Sequence, residues 1–169
     1  MLFSKTSAKP DRQQQFLELA DRYKGLIAKV CSLYSSPSAP FADLYQEVMV
    51  NLWSGMDSYR GDAKASTWIY RLAINTCITW HRRNRRHTEG AVSLDFVAEP
   101  ADDSESRLTQ WEELNALIGR LDPFDKALIA MWLDEKSYDE IAAVTGISRT
   151  CVAQRLHRIR AKLSKLADQ

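Results

Sequence analysis

The chain has 169 residues, 45% of them hydrophobic, and a formal net charge of +1 at pH 7, which is enough to build one domain or two small ones. It contains no apolar run long enough to span a bilayer and no N-terminal apolar segment of signal-peptide length, so we expect a cytoplasmic protein without membrane insertion. The cysteines and histidines are scattered, which indicates reduced thiols and predicts no metal or other cofactor.

Three helices are predicted in the N-terminal half, because apolar residues recur there at intervals of three and four. The first extends through Val30 and is ended by the turn-forming segment SSPSAP at 35–40. The second runs from about Phe41 to Met56, and the third from near Ser66 to about Arg85. Few segments alternate as strands do, so an all-α fold is expected.

Aromatic and basic side chains interleave between residues 59 and 86, in the segment YRGDAKASTWIYRLAINTCITWHRRNRR. Aromatic faces stack on unpaired bases with a gain of about 1–3 kcal/mol per base, and cations follow the phosphate backbone. Such a surface suits single-stranded or melting nucleic acid better than closed duplex. Trp68 and Tyr70 fit a hydrophobic core equally well, whereas the arginines at 82–86 favour phosphate contact over a solvated helix end.

Charge is distributed unevenly along the chain. Residues 1–87 contain 13 basic and 7 acidic residues, 88–106 contain six acids and no base, and 107–169 contain 10 basic and 9 acidic residues. This pattern predicts two domains, at 10–87 and 107–167, joined by a flexible acidic linker at 88–106.

The C-terminal domain is predicted to contain four helices, the first two at about 104–121 and 123–133. The segment SYDE (Ser137–Glu140) has the pattern of a capping box at the start of a short third helix. Gly146 supplies a tight turn, and Ser148 can cap the longer basic helix that follows. This is the plan of the helix-turn-helix DNA-binding motif. The fold class is therefore all-α, with a three- or four-helix N-terminal bundle and a four-helix C-terminal domain.

The last helix separates an apolar stripe from a polar and basic side. On a helical wheel Leu156, Ile159 and Leu163 fall within about 40° of Val152, so these four apolar residues are expected to pack inward. No acid occurs from Ile147 to Lys165. This layout suits a helix in the major groove, although a solvated charged face has the same pattern. The outward side carries Thr150, Gln154 and His157, with Arg149, Arg155 and Arg158 towards its edges.

Two further motifs carry a resemblance to a known family. The segment DLYQEVMVNLW (43–53) resembles the part of bacterial sigma factors that grips the clamp helices of the RNA polymerase β′ subunit. The segment YRGDAKASTWIYRLAINT (59–76) resembles their promoter −10 loop and the helix after it, and the helix-turn-helix resembles their −35 reader. From about residue 12 to 166 the chain is similar to sigma factors of the extracytoplasmic-function (ECF) group of the sigma-70 family.

The resemblance implies a transcription initiation factor, not an enzyme, that directs core RNA polymerase to promoter DNA and promotes melting. Its implied partners are the β′ clamp helices and β flap of the polymerase, promoter DNA and an anti-sigma factor. The linker would pass through the polymerase channel that later holds RNA. There its carboxylates could imitate an RNA backbone, or it could be a plain soluble tether.

The resemblance also implies residue roles. Asn75 and Tyr59 would hold a flipped base of the −10 element, since an amide can read a base edge and a phenol ring can stack. In the last helix, Gln154, His157 and Arg158 would read −35 bases beside Ala153, and Arg149, Thr150 and Arg155 would contact the backbone. The residues facing the polymerase would be Asp43, Gln46, Glu47 and Val50, and those meeting −10 phosphates would be Arg71, Arg82 and Arg83.

Two other functions remain open. A stand-alone helix-turn-helix regulator would bind duplex DNA without polymerase, but it leaves residues 43–76 unexplained. A DNA-acting enzyme such as a recombinase needs a nucleophile beside clustered arginines. Ser66 near Arg71 is a weak candidate, because its position is typical of a helix cap.

Overall fold

A computed structural model describes residues 11–61, 63–85, 113–114 and 116–167, and over these ranges the chain forms helices and no β-strand. A 3-10 helix at Met56–Ser58 follows the second α-helix, and residues 116–119 are also helical. The predicted all-α fold is confirmed. The α-helices with defined bounds are α1 (Arg12–Tyr34), α2 (Phe41–Gly55), α3 (Ala65–Arg85), α4 (Pro123–Leu133), α5 (Tyr138–Thr145) and α6 (Arg149–Ala167).

The observed helix bounds follow the local signals in the sequence. The starts of α2 and α3 and the whole of α4 agree with the prediction to within one residue. The predicted linker at 88–106 lies outside the described residues, as does most of the predicted helix at 104–121.

Helices α1, α2 and α3 pack against one another as the N-terminal bundle. Its core includes fully buried Ile27, Leu44, Leu52 and Ile69. Burying each such side chain contributes about 1.5–3 kcal/mol, so this interface holds the outward faces of α2 and α3 in a fixed relationship. The bundle therefore presents two neighbouring helix faces on one rigid support.

In the C-terminal half, α4 and α5 each begin with a side-chain N-cap. The Asp122 carboxylate accepts from the backbone N–H groups of Phe124 and Asp125, each at 3.1 Å, before α4. At the start of α5 the predicted capping box is present, with the Ser137 hydroxyl and the Glu140 carboxylate each accepting from the other residue's backbone N–H. Gly146 has φ of 78° and ends α5 in the left-handed conformation. The helix-turn-helix is thus formed as predicted.

The two halves of the chain share one hydrophobic cluster, because α3 packs on both α4 and α5. Tyr34, at the end of α1, is buried and its hydroxyl donates to the backbone carbonyl of Pro123. The Lys29 ammonium forms an ion pair with Asp134, which follows α4. The sequence did not predict this packing of one half on the other.

All three cysteines are free thiols, as expected. Cys31 of α1 and Cys77 of α3 are buried in the N-terminal bundle, and Cys151 is half-buried in α6. A hydrogen bond with Cys31, together with burial, raises the pKa of the Cys77 thiol. Cys77 is therefore protonated at neutral pH and is part of the core.

Candidate nucleic-acid and protein-binding surfaces

One outward face of α2 combines acidic, polar and apolar side chains. Asp43, Gln46 and Val50 are exposed there and Glu47 is half-exposed, so the four share one accessible side of the helix. Val50 is 52% exposed although it is apolar. We call these four residues the α2 stripe. An apolar side chain framed by carboxylates on a rigid helix is typical of a surface that another protein covers.

Trp53 extends the α2 stripe and is not among the site residues predicted from the sequence. It is 39% exposed and lies one helical turn after Val50. The rings of Phe16 and Trp53 pack in a T-shaped arrangement with centroids 5.3 Å apart, and the Arg12 guanidinium lies 4.7 Å from the centroid of the Trp53 ring. The spacing of 43, 46, 50 and 53 on one helix face was the signal that could have identified it.

A groove with a volume of about 420 Å³ lies along the surface where α2 and α3 pack together. It brings together residues predicted for two different roles, since Glu47 belongs to the α2 stripe and Asn75 is the predicted base reader. Arg83 lines the same groove, so a cation is available at its wall. Other lining side chains are Asn51, Trp68, Arg71, Leu72, Thr76, Thr79 and Trp80.

Tyr59 lies in the loop between the 3-10 helix and α3. Its ring packs on that of Trp68 with centroids 4.9 Å apart and planes inclined at 31°, and its hydroxyl donates to the Ala63 carbonyl at 2.9 Å. Because Trp68 also lines the groove, this contact places Tyr59 beside it. Tyr70, by contrast, is only 6% exposed and belongs to the core, so it is not available to stack on a base.

The predicted phosphate-binding arginines of α3 differ in their surroundings. Arg82 and Arg83 are exposed near the end of the helix. Arg71 instead donates from Nε to the Val144 carbonyl at 3.0 Å and from Nη2 to the Ala143 carbonyl. Its guanidinium is therefore bound to the end of α5 in the C-terminal half.

Helix α6 has the orientation that the wheel predicts, with Val152, Leu156 and Ile159 buried. The outward residues of α6 form one accessible surface. Ala153 belongs to this surface and is half-buried. Arg149 is exposed and lies 3.4 Å from the Asp139 carboxylate. The other exposed residues of this surface are Thr150, Gln154, His157 and Arg158.

Arg155 of α6 contacts residues at the start of α4. Its Nη2 lies 3.0 Å from Oδ1 of Asp125, and its guanidinium lies 4.7 Å from the centroid of the Phe124 ring. Its side chain is only 32% exposed. Burial and the neighbouring Asp122 raise the pKa of Asp125, and Arg155 opposes this rise. Arg155 thus supports the start of α4 as well as lying on the basic helix.

Among the described residues, no three His, Cys, Asp or Glu side chains are grouped so as to hold a metal ion. No helix in the described ranges combines the length and the apolar character needed to cross a bilayer. What the described surfaces offer is apolar contact, hydrogen bonding, negative charge on α2 and positive charge on α3 and α6.

Two family models match the chain. The model of sigma-70 region 2 matches residues 19–87, and that of sigma-70 region 4 matches residues 111–163. The RNA polymerase sigma factor YlaC of Bacillus subtilis is 34% identical over 129 residues, which cover 73% of this chain and 75% of that protein. The ECF RNA polymerase sigma-E factor of Escherichia coli is 30% identical over 164 residues, which cover 88% of this chain and 84% of that protein.

Two solved structures have a similar fold, and the first of them is of a sigma factor. The sigma factor RpoE from Bartonella quintana, in complex with the anti-sigma factor NepR, aligns with a TM-score of 0.72 and 19% identity, covering 91% of this chain and 97% of that one. CnrH, in complex with the cytosolic domain of CnrY, aligns with a TM-score of 0.65 and 24% identity, covering 92% of this chain and 89% of that one.

Proposed function

The chain belongs to the ECF sigma factors of the sigma-70 family and is a transcription initiation factor, and we propose how its surfaces divide that task. The N-terminal domain, residues 10–87, binds core polymerase and the −10 element. The C-terminal domain, residues 107–167, reads the −35 element. The acidic segment 88–106 joins them. The observation that carries this proposal is the groove that both Glu47 of the α2 stripe and Asn75 of α3 line.

The α2 stripe is the proposed contact with the β′ clamp helices. Asp43 and Glu47 supply negative charge, and Val50 supplies exposed apolar surface on the same helix face. Trp53 adds an aromatic side chain, of the kind that is enriched at the energetic centre of protein interfaces. The β flap is the second proposed polymerase contact and would be made by the C-terminal domain.

The groove between α2 and α3 is the proposed site for the melted −10 strand. Asn75 is exposed and can both donate to and accept from a base edge, while Tyr59 and Trp68 offer aromatic surface beside it. Arg82 and Arg83 would neutralise phosphates. Opening the duplex costs a few kcal/mol per flipped base, and stacking returns about 1–3 kcal/mol per base.

The exposed side of α6 is the proposed −35 reader. Gln154, His157 and Arg158 are accessible at its centre, and Arg149 and Thr150 lie at its N-terminal end. A basic helix that carries hydrogen-bonding groups at its centre fits the major groove. Contacts to phosphates release counterions, so promoter binding should weaken steeply as salt rises.

The proposal extends to partners and place of action. The protein acts in the cytoplasm and does no covalent chemistry itself, since the polymerase carries the catalytic site. An anti-sigma factor is a further proposed partner, because both structural neighbours were solved as complexes, one of them with a named anti-sigma factor. By covering the α2 stripe, such a partner would exclude polymerase.

Gel filtration with bacterial core RNA polymerase, followed by transcription from a promoter library, tests the proposal. Co-elution and new start sites are expected, and the selected sequences would define the −35 and −10 preferences. A stand-alone duplex-binding regulator predicts the reverse, namely specific promoter binding by the free protein and no co-elution with polymerase from the native host. The match of residues 19–87 to sigma-70 region 2 favours the sigma factor over that regulator.

A recombinase-like activity is not supported by the geometry. Ser66 lies in the first turn of α3, and the guanidinium of Arg71 is bound to the backbone carbonyl of Val144. The arginine that would have to assist this serine is therefore engaged elsewhere.

A further inference from the structure

The guanidinium of Arg12, at the start of α1, makes three contacts near the end of α2. Its Nη2 donates to the backbone carbonyl of Trp53 at 3.0 Å, and its Cζ lies 4.7 Å from the centroid of the Trp53 ring. Its Nη1 lies 3.1 Å from the carboxylate of Asp57, in the 3-10 helix that follows α2. A single side chain therefore binds both the backbone and the ring of a residue 41 positions further along the chain.

Arginine is chemically suited to this position. Trp53 lies in the last turn of α2, and the last carbonyls of a helix lack partners within that helix and carry the negative end of its dipole. A guanidinium can donate from its edge while its flat face covers an aromatic ring, whereas a lysine ammonium has no such face. The carboxylate of Asp57 adds a modest attraction, because its side chain is 71% exposed and water screens the charges.

Phe16 holds the Trp53 ring from a second side. It lies one helical turn after Arg12 on α1, and its ring plane is inclined at 89° to that of Trp53. The indole is therefore held by two residues of α1. It is nevertheless 39% exposed, and Val50, one turn earlier on the same face of α2, is 52% exposed. A large aromatic side chain is thus kept at the surface in a defined orientation.

Fixing this orientation has a consequence for binding. A side chain that rotates freely loses conformational entropy when a partner covers it, and this loss weakens the complex. A side chain that is already held loses less. Tryptophan is also among the residues that contribute most to binding at protein interfaces. The contacts of Arg12 therefore affect the binding of any partner that covers Trp53.

We propose that Arg12 is a positioning residue for polymerase binding, which holds Trp53 in the orientation that the polymerase meets. The inference rests on the proposed function, in which the α2 stripe and Trp53 bind the β′ clamp helices. Arg12 acts through Trp53 and not by its own contact with the polymerase. If Arg12 only secured the start of α1, its loss would change stability and leave polymerase binding as it is.

Four variants of the full chain test the proposal. Arg12→Met removes the guanidinium, and Trp53→Ala together with the double variant of both substitutions completes a double-mutant cycle. Arg22→Met is the matched control, because Arg22 is also an exposed arginine of α1 and lies 5.7 Å from the centroid of an aromatic ring, that of Tyr23 in the same helix. Circular dichroism and thermal melting establish that each variant is folded.

The first measurement is the dissociation constant for bacterial core RNA polymerase, obtained by biolayer interferometry. Arg12→Met should weaken binding roughly threefold to fivefold, and Arg22→Met should match the wild type. In the Trp53→Ala background, Arg12→Met should have no further effect, because the ring that Arg12 positions is gone. A purely structural role of Arg12 would not produce this dependence on Trp53.

The second measurement needs no polymerase. Acrylamide quenching of tryptophan fluorescence reports how accessible the indole rings are to solvent. Arg12→Met should increase the quenching relative to the wild type, because the guanidinium no longer covers the Trp53 ring. The increase should be absent in the Trp53→Ala background, and Arg22→Met should show none.

Asp57→Asn is the second variant if Arg12→Met does not fold. It removes the carboxylate that holds Arg12 and leaves the guanidinium in place, so polymerase binding should weaken by about twofold. Asp21→Asn is its control, because that carboxylate is 78% exposed and pairs with Lys24 within α1.

Wild-type polymerase affinity or unchanged quenching in folded Arg12→Met would overturn the proposal. Equal losses of affinity with and without Trp53 would also overturn it, because Arg12 would then act independently of the ring. If the wild-type protein did not bind core polymerase, the proposed function would fail. Normal wild-type binding without coupling between Arg12 and Trp53 would reject only the role of Arg12, so the two failures are distinguishable.

Discussion

The Asn51 side-chain amide donates a hydrogen bond to the Thr76 hydroxyl at 3.0 Å and so joins α2 to α3 across the floor of the groove. The Thr76 hydroxyl in turn donates to the Leu72 carbonyl at 2.8 Å. Asn51 lies one helical turn after Glu47, and Thr76 adjoins Asn75. This bond therefore sets the spacing between the proposed polymerase contact and the proposed base reader.

Asn51→Ala should lower the free energy of unfolding by about 1 kcal/mol, because the hydroxyl of buried Thr76 loses its donor. Thermal or urea denaturation measures the change. Ser54→Ala is the control, since that exposed hydroxyl only donates to the Val50 carbonyl of its own helix. Equal effects of the two substitutions would show that the bond between the helices adds nothing to stability.

Asn75→Ala should reduce transcription initiation roughly tenfold, the loss expected when one good base-edge contact is removed. Asn75 is exposed, so stability and co-elution with core polymerase should be unchanged. Abortive initiation assays on a responsive promoter give the rate, and gel filtration gives polymerase binding. Loss of polymerase binding would mean that this side of α3 has been assigned to the wrong partner.

Arg155 and Arg158 are neighbours on α6, but their substitutions should have different effects. Arg155→Ala removes the charge pair with Asp125 and the contact with the Phe124 ring, so it should cost about 1–2 kcal/mol of stability. Arg158→Ala should leave stability unchanged and weaken binding to −35 duplex DNA. Thermal melting and a duplex binding assay on both variants separate the roles. A stable Arg155→Ala protein would contradict the structural role of Arg155.

Stability should fall as the pH decreases below 6.5, the ordinary value for histidine, because of His81. Burial lowers the pKa of His81, and the nearby Lys126 adds to this effect, while a hydrogen bond with the Tyr34 carbonyl partly opposes it. The unfolded chain therefore takes up this proton at a higher pH than the folded chain, and protonation favours unfolding.

Melting temperatures at about pH 7.5 and about pH 5.5 measure this dependence. His81→Gln is the comparison, because its side chain stays neutral over the whole range and can still donate a hydrogen bond. The variant should lose less stability than the wild type on acidification. An equal loss of stability on acidification in both proteins would mean that a group other than His81 causes the pH dependence.

Local signals in the sequence were sufficient to predict the six α-helices whose bounds the structure defines. The capping box at Ser137 and Glu140 and the left-handed turn at Gly146 involve residues within ten positions of one another, so their chemistry is visible in a short segment. The apolar stripe of α6 is visible for the same reason, since a helical wheel needs only the order of residues.

Contacts between distant residues could not be predicted in this way. Arg71 and Val144 are 73 positions apart, and Arg155 and Asp125 are 30 apart. A periodic pattern shows which side of a helix is basic but not which carbonyl or carboxylate a cation will meet. Tyr70 illustrates the same limit. An aromatic residue between basic residues gives the same sequence pattern whether its side chain faces nucleic acid or packs in the core.

The burial of the three free thiols has a consequence for following the protein in solution. Cys31 and Cys77 are fully buried in the N-terminal bundle, whereas Cys151 is half-buried near the start of α6. An alkylating reagent should therefore modify Cys151 in the native chain and the other two only when the bundle unfolds. Counting modified thiols by mass therefore reports the unfolding of the N-terminal bundle through the protein's own cysteines, with no label introduced by mutation.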